Sequence, residues 1–321
     1  MKISRVAYPD SAPFPVISMD GDSWHVANDP SGKPPLAEVV DILAFEMANP
    51  GGLSERLLSQ GASRPPSVDM STVQRTLPFQ PLSYRDFMLY EKHCIDASRG
   101  FVKKYLPHLA PMIAIYEKIT GKPFPKLKPQ KRWYNYPIYY MGNHLSFVTD
   151  QAVIEIPSYT KDLDYELELG ALLCRPLKNA SPEDAEKAIG GYVVFNDFSA
   201  RDVQMDEMAS GFGPIKAKNF ANSISNAVIS ADSVGPDLEQ LRARVIINGK
   251  TIVDTDMKGM RYSLPEAIAY ASWEEQLYPG EFFATGTVPG CSGMENGHLL
   301  KRGDSIRLEI DGVGKLENRV A

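Results

Sequence analysis

The chain has 321 residues, 43% of them hydrophobic and 23% charged, with a formal net charge of -6. That length can bury a sizeable core, as one large domain or as one domain with a smaller appendage. The charge is spread without a basic stripe, which argues against a nucleic-acid surface, and no apolar run approaches the roughly 18 residues of a membrane span, so a soluble protein with small-molecule partners is expected.

The N-terminus, MKISRVAYPDSAPFPVI, lacks an apolar block of about 7 to 15 residues and does not read as a secretory signal, which leaves the cytoplasm as the expected address. Cys94, Cys174 and Cys291 are widely separated and form no C-x-x-C pair, so buried free thiols are expected rather than a disulfide framework or a zinc site. The first sixty or so residues mix short strand-like runs with a helix pattern, LAEVVDILAFEM. The polar stretch SQGASRPPSVDMSTVQRTLPFQPLS reads as a connection, and it sets the expected division into a small N-terminal domain, 1–80, and a second domain, 81–321.

Beyond it, SYRDFMLYEKHCIDASRGFVKKYL has a helix pattern in which Ser83 can cap and Asp86 takes the capping-box position. Asp86 and His93, nearly two turns apart, would share one face about 10 Å apart along the axis. From residue 145 the pattern turns mostly to strands. Asn248-Gly249 is a strong two-residue hairpin signal and Asp311-Gly312 a similar candidate. Two capped helices interrupt the strands, one with Ser181 and Pro182 at its start and one with Ser263 and Glu266 as a capping box. The fold class is β-rich α+β, with a mixed or antiparallel sheet system curled around a core.

The stretch DYELELG sets Glu166 and Glu168 on one face of a strand, about 6 to 7 Å apart at Cα. Taken alone, such a pair reads as two solvated glutamates; brought together in a site, two carboxylates need a cation or a proton between them. The run GYVVFNDFSARDVQ is too apolar at its start to be exposed and delivers Asp197 at its end, followed by Arg201 and Gln204. GPIKAKNF supplies Lys218 as an ammonium for a bound carboxylate or enolate. A site of carboxylate oxygens completed by water and substrate favours Mg2+ or Mn2+, with Ca2+ possible, over zinc. Bland readings stand beside these: His93 as a core or surface histidine, Arg201 pairing with Asp202, Gln204 on a helix surface, Tyr140 as packing, and Thr287 filling a turn.

Together RDFMLYEKH, DYELELG, YVVFNDFSARDVQ, KAKNF and the ATGTVPG…GDSIRLEIDGVGKLENRV ending resemble the fumarylacetoacetate hydrolase family, from about Leu82 to the C-terminus. The resemblance implies a mixed β-roll or barrel-like catalytic domain, usually in a homodimer, holding Mg2+ or a similar ion and acting on β-diketo acids or related 2-oxo acids. It implies Glu166, Glu168, Asp197 and Asp86 as metal ligands, Lys218 beside the ion, His93 as the general base and Glu295 as its orienting partner. Tyr140, Arg201, Gln204 and Thr287 would contact substrate. Met88, Met208 and Val102 stand where the best-known hydrolase of the family has two tyrosines and an arginine, and Asn222 replaces a threonine near the metal, so a less polar pocket is expected at the tail end of the substrate.

The activity expected from the resemblance is hydrolysis of a C–C bond in an acylpyruvate or other β-diketo acid. A decarboxylase, tautomerase, isomerase or dehydratase on the same site is the alternative, and a non-catalytic ligand-binding protein a third reading. Asp164, which opens the DYELE stretch, carries no assignment.

Overall fold

The computed structural model describes residues 1–27, 36–59 and 64–321. Among these residues, the apolar runs pair into two main sheets. The larger has thirteen strands, and its main path runs through Ser67–Val68, Trp24–Val26, Phe14–Ser18, Lys2–Ala7, Ala227–Ser230, Ile189–Asp197, Leu167–Leu173, Phe282–Ala284, Tyr84–Phe87 and Tyr139–Met141. The second has five strands, in the order Lys250–Asp256, Arg242–Ile247, Ser305–Ile310, Gly314–Val320 and Val153–Ile154. Most pairings are antiparallel, but Phe282–Ala284 runs parallel to Tyr84–Phe87 and Asn222–Ile224 parallel to Phe147–Thr149. The strand-rich, mixed architecture matches the expected class. Its main path does not return on itself, so the sheet is no closed barrel.

Leu167–Leu173 and Ile189–Asp197 are buried at every position, as continuous apolar strands covered on both faces should be. Lys2–Ala7 pairs with Ala227–Ser230, and Ile3, Ile17 and Leu43 share an apolar cluster with Phe147, Leu172, Phe195 and Phe282. Residues before and after position 80 therefore contribute to one sheet and one core. Part of the connecting stretch, residues 60–63, lies outside the described residues; the remainder includes the short strands Ser67–Val68 and Gln74–Arg75.

The helix pattern over residues 83–106 is only partly realised. Tyr84–Phe87 is a fully buried strand paired on both sides, and the helix spans Glu91–Tyr105. Burial of Tyr84 and Phe87 in the sheet overrides the helical spacing. Ser83 caps nothing; its hydroxyl donates to Glu281 Oε2 at 2.7 Å. Asp86 and His93 thus belong to a strand and a helix, not to one helix face.

The hairpin at Asn248-Gly249 forms as expected, with φ of 51° and 77° and Ile247 opposite Lys250, the left-handed pair that a two-residue turn of this hand requires. At Asp311-Gly312 the loop is one residue longer, because Ile310 pairs with Gly314. Ser181 and Ser263 cap their helices, each in a reciprocal capping box. The three cysteines are free and buried.

Candidate active site

Adjacent strands converge on one buried point. Glu168 lies on Leu167–Leu173, which pairs on one side with Ile189–Asp197 and on the other with Phe282–Ala284. The latter strand places Ala284 opposite Asp86. Asp86, Glu168 and Asp197 are all buried, and each offers an oxygen such that the three lie within 4.8 Å of one another. Gly286, at φ 80°, lets the loop after Phe282–Ala284 pass against this point: a Cβ there would stand 2.3 Å from Phe87 O. Its amide donates to Glu168 Oε2 at 2.9 Å.

Two cations face the carboxylates. Lys218 Nζ donates to Asp197 Oδ2 at 2.6 Å and also to Glu166 Oε2. Arg201 Nη2 donates to Glu166 Oε1 at 2.6 Å, and Nη1 to Gln204 Oε1 at 2.8 Å. Burial raises the Glu166 carboxyl, but Arg201, Lys218 and His93 outweigh it and hold the group well below the usual range. Burial pushes Glu168 well above that range, helped by Asp86 and Asp197; burial and Asp197 do the same to Asp86. Asp197 is raised by burial and Glu166 against the pull of Lys218. Lys218 and Arg201 are disfavoured as cations by burial, yet their carboxylate partners raise both above their ordinary values.

The cluster thus sets four carboxyl groups, Asp86, Glu166, Glu168 and Asp197, against two permanent cations, and three of the four are disfavoured as anions while nothing further among the described residues neutralises them. Buried oxygen donors without an equal positive charge fit a hard divalent cation, with Asp86, Glu168 and Asp197 as the residues placed to hold it. Glu166 lies beside this triad, turned to the two cations.

His93 lies early in the Glu91–Tyr105 helix, mostly buried, with Nδ1 3.0 Å from Glu295 Oε2 and Nε2 3.7 Å from Glu166 Oε1. Burial lowers the imidazole pKa, but Glu295 and Glu166 more than offset this and leave it raised. Glu295 is itself held by Gly290 N and Ser292 Oγ, both at 2.9 Å.

Tyr140 Oη donates to Asp197 Oδ2 at 2.8 Å, and Thr287 Oγ1 stands 3.5 Å from Glu168 Oε1. The structure thus brings Asp86, His93, Tyr140, Glu166, Glu168, Asp197, Arg201, Gln204, Lys218, Thr287 and Glu295 into one neighbourhood. Asp202 does not pair with Arg201; it accepts from Lys161 N at 3.0 Å and from Thr160 Oγ1.

Three further residues complete the site. Tyr84 Oη donates to Asp86 Oδ2 at 2.8 Å and lies 3.0 Å from Tyr140 Oη. Asn222 is oriented by its neighbours so that its amide donates to Asp197 Oδ1 at 3.1 Å. Asp164 is wholly buried against Arg201. Asn222 was already placed near the metal by the family resemblance; for Tyr84 the only signal was its position two residues before Asp86.

The profile described as Fumarylacetoacetate (FAA) hydrolase C-terminal matches residues 119–321, well over half the chain, and the chain belongs to the fumarylacetoacetate hydrolase family. The mitochondrial oxaloacetate tautomerase of Xenopus laevis is 32% identical over 185 residues, which cover 57% of this chain and 58% of that protein. The homoprotocatechuate catabolism bifunctional isomerase/decarboxylase of Escherichia coli is 29% identical over 164 residues, 51% of this chain and 36% of that one. The chain thus aligns with little more than half of the first of these relatives and about a third of the second.

Among solved structures, the fumarylacetoacetate hydrolase of Exiguobacterium antarcticum superposes with a TM-score of 0.69 at 20% identity, over 100% of this chain and 99% of that one. The fumarylpyruvate hydrolase of Pseudomonas aeruginosa, in complex with Mn2+ and pyruvate, gives 0.56 at 22% identity, over 77% and 91%. Both likenesses are of fold.

Proposed function

We propose that this protein is a divalent-metal-dependent enzyme acting on 2-oxo acids, and that it hydrolyses a C–C bond of an acylpyruvate or other β-diketo acid. The observation that carries the reading is His93, with Glu295 at one ring nitrogen and the carboxylate cluster at the other. Mg2+ or Mn2+, with Ca2+ possible, would be held by Asp86, Glu168 and Asp197, with Glu166 as a further ligand. Such an ion supplies Lewis-acid polarisation of substrate oxygens when bound.

In this reading Glu295, 3.0 Å from Nδ1, orients the ring so that Nε2 faces the cluster, and its charge increases the basicity of that nitrogen. Nε2 takes a proton from water, the hydroxide adds to the carbonyl carbon, and the C–C bond breaks with its electron pair passing to the departing pyruvate enolate. Lys218 and Arg201 face that negative charge; His93 then returns the proton to the enolate carbon. Tyr140, Gln204 and Thr287 line the substrate side in this reading. The homodimer, the cytoplasmic address and a catalytic unit spanning 81–321 belong to the same proposal. Among the described residues no helix is long and apolar enough to cross a membrane.

A second reading keeps the residues and changes the reaction: His93 removes a proton from the carbon beside the ketone and returns it elsewhere, as a tautomerase or isomerase requires. It is favoured by the relative named as an oxaloacetate tautomerase. The deciding experiment incubates the protein with Mn2+ and either acylpyruvates or oxaloacetate, follows the enol absorbance and identifies products. Two acids from one acylpyruvate support hydrolysis; enol loss with the carbon skeleton intact moves the assignment to the second reading. Activity untouched by EDTA overturns both.

A further inference from the structure

We infer that Asp164 is a positioning residue that holds Arg201 and the Glu295 turn in one fixed relation, so that charge binding and the His93 base are set by a single carboxylate. The catalytic part of this rests on His93 being the base. Asp164 lies on the short strand Leu163–Asp164, opposite Ser199, and is wholly buried. Oδ1 accepts from Tyr165 N at 2.8 Å and Gly293 N at 2.7 Å; Oδ2 accepts from Arg201 Nε at 2.7 Å and Met294 N at 3.0 Å. With four donors, both oxygens are committed, and Asp164 has little capacity left to bind an ion or a substrate itself.

Arg201 on one side and the Gly293–Met294 amides on the other lead to two different parts of the site. Anchored through Nε, the guanidinium turns Nη2 to Glu166 and Nη1 to Gln204. The anchor persists when a substrate anion competes for Nη2. On the other side, Gly293 and Met294 begin the turn that carries Glu295, whose Oε2 meets His93 Nδ1.

The backbone is shaped for this contact. A Cβ on Gly293 would stand 2.4 Å from Asp164 Oδ1 and 2.5 Å from His298 O, so a side chain there forces the turn away. The helix bearing His93 rests on the same turn: a Cβ on Gly100 would stand 1.8 Å from Met294 O. Displacing Gly293 and Met294 therefore moves both members of the His93–Glu295 pair. Asp164→Asn keeps the shape but exchanges one acceptor for a donor, setting N–H groups against N–H groups.

Hydrogen exchange of the full-length Mn2+-loaded protein, with and without Asp164→Asn, tests the geometry without any substrate. We expect exchange over residues 291–297 to speed by about tenfold or more while Leu167–Leu173 stays protected, and Mn2+ affinity to hold within about threefold, because Asp164 touches none of Asp86, Glu168 and Asp197. On whichever substrate the wild type turns over, kcat falls about 10- to 100-fold, the range for residues that orient catalytic groups from behind. The loss is non-additive with Glu295→Gln.

Unchanged exchange at 291–297, or an unchanged kcat, overturns the inference. So does a joint loss of Mn2+ affinity, global protection and activity, which marks a purely structural residue. Should Asp164→Asn not fold, Gly293→Ala displaces the turn from the other side and is judged by the same outcomes. Full activity in His93→Ala sinks the base reading instead, and the exchange result then stands or falls by itself.

Discussion

Replacing Glu168 by Gln removes one of three buried negative charges whose oxygens lie within 4.8 Å of one another. At that largest separation and an effective dielectric constant of about 20, a like-charge pair costs about 3.5 kcal/mol, so Glu168 facing Asp86 and Asp197 bears about 7 kcal/mol or more if all three are ionised. Proton uptake relieves part of this. The part that remains makes the variant more stable than wild type in EDTA by a fraction of that Coulomb cost, about 1–3 kcal/mol.

The sign of the pH dependence follows from the raised carboxyls. Asp86, Glu168 and Asp197 bind protons more tightly folded than unfolded. Above the unfolded carboxyl pKa of about 4, their contribution to metal-free stability therefore falls as pH rises toward their folded values. Glu166, held low by Arg201 and Lys218, contributes the opposite slope: its stabilisation is present above the unfolded value and is lost as pH falls through the folded one. The Glu166 slope lies wholly below the unfolded value, so between about pH 5 and 8 the raised groups alone act and metal-free stability falls as pH rises.

A divalent ion at about one hundred times its Kd adds about 2.7 kcal/mol to the wild type, roughly 4 °C in Tm for a chain of this length, and less to Glu168→Gln. Scanning calorimetry at pH 5 to 8, in EDTA and in excess Mn2+, reads all of these. A variant less stable than wild type in EDTA, together with equal Mn2+ shifts in both proteins, would refute the reasoning.

Other outcomes follow from single contacts. His93→Ala should lower kcat by about 100- to 10,000-fold with Mn2+ affinity unchanged in a binding titration. Gly286→Ala forces a Cβ at positive φ to within 2.3 Å of Phe87 O and pulls its amide from Glu168; we expect at least about 1 kcal/mol lost in denaturant unfolding, and weaker Mn2+ binding. The Glu207 carboxylate accepts from the amides of Ile215 at 2.6 Å, Lys216 at 2.8 Å and Ala217 at 3.1 Å, closing the loop before Lys218. Glu207→Ala should speed tryptic cleavage after Lys216, followed by mass spectrometry, and leave the Tm within about 2 °C.

Features fixed by neighbouring residues were legible in the sequence. Asn248-Gly249 demands a left-handed pair and makes its hairpin, and Ser181 and Ser263 carry their own capping partners three residues on. Tyr84–Phe87 was misread because Ser83 and Asp86 imitate a capping box, while what decides the conformation is a pair of strands that close on it from residues 139–141 and 282–284. The loop at Asp311 gained a residue for the same reason: the register of Ile310 with Gly314 is set by the whole ladder. The carboxylates of the site were legible as types and in their order along the chain. Asp164 was not, since its partners Arg201, Gly293 and Met294 are remote in sequence and two of them act through backbone amides that no residue type announces.

Asp86, Glu168 and Asp197 come from distant parts of the chain and meet only through strand pairings that close long loops. Such loops are costly to close, and contacts of this kind form late in folding. No early, locally folded segment can therefore present the cation with all three oxygens. The ion should leave the rate of refolding nearly untouched and slow unfolding instead, acting as a kinetic lock on the completed sheet rather than as a template for building it.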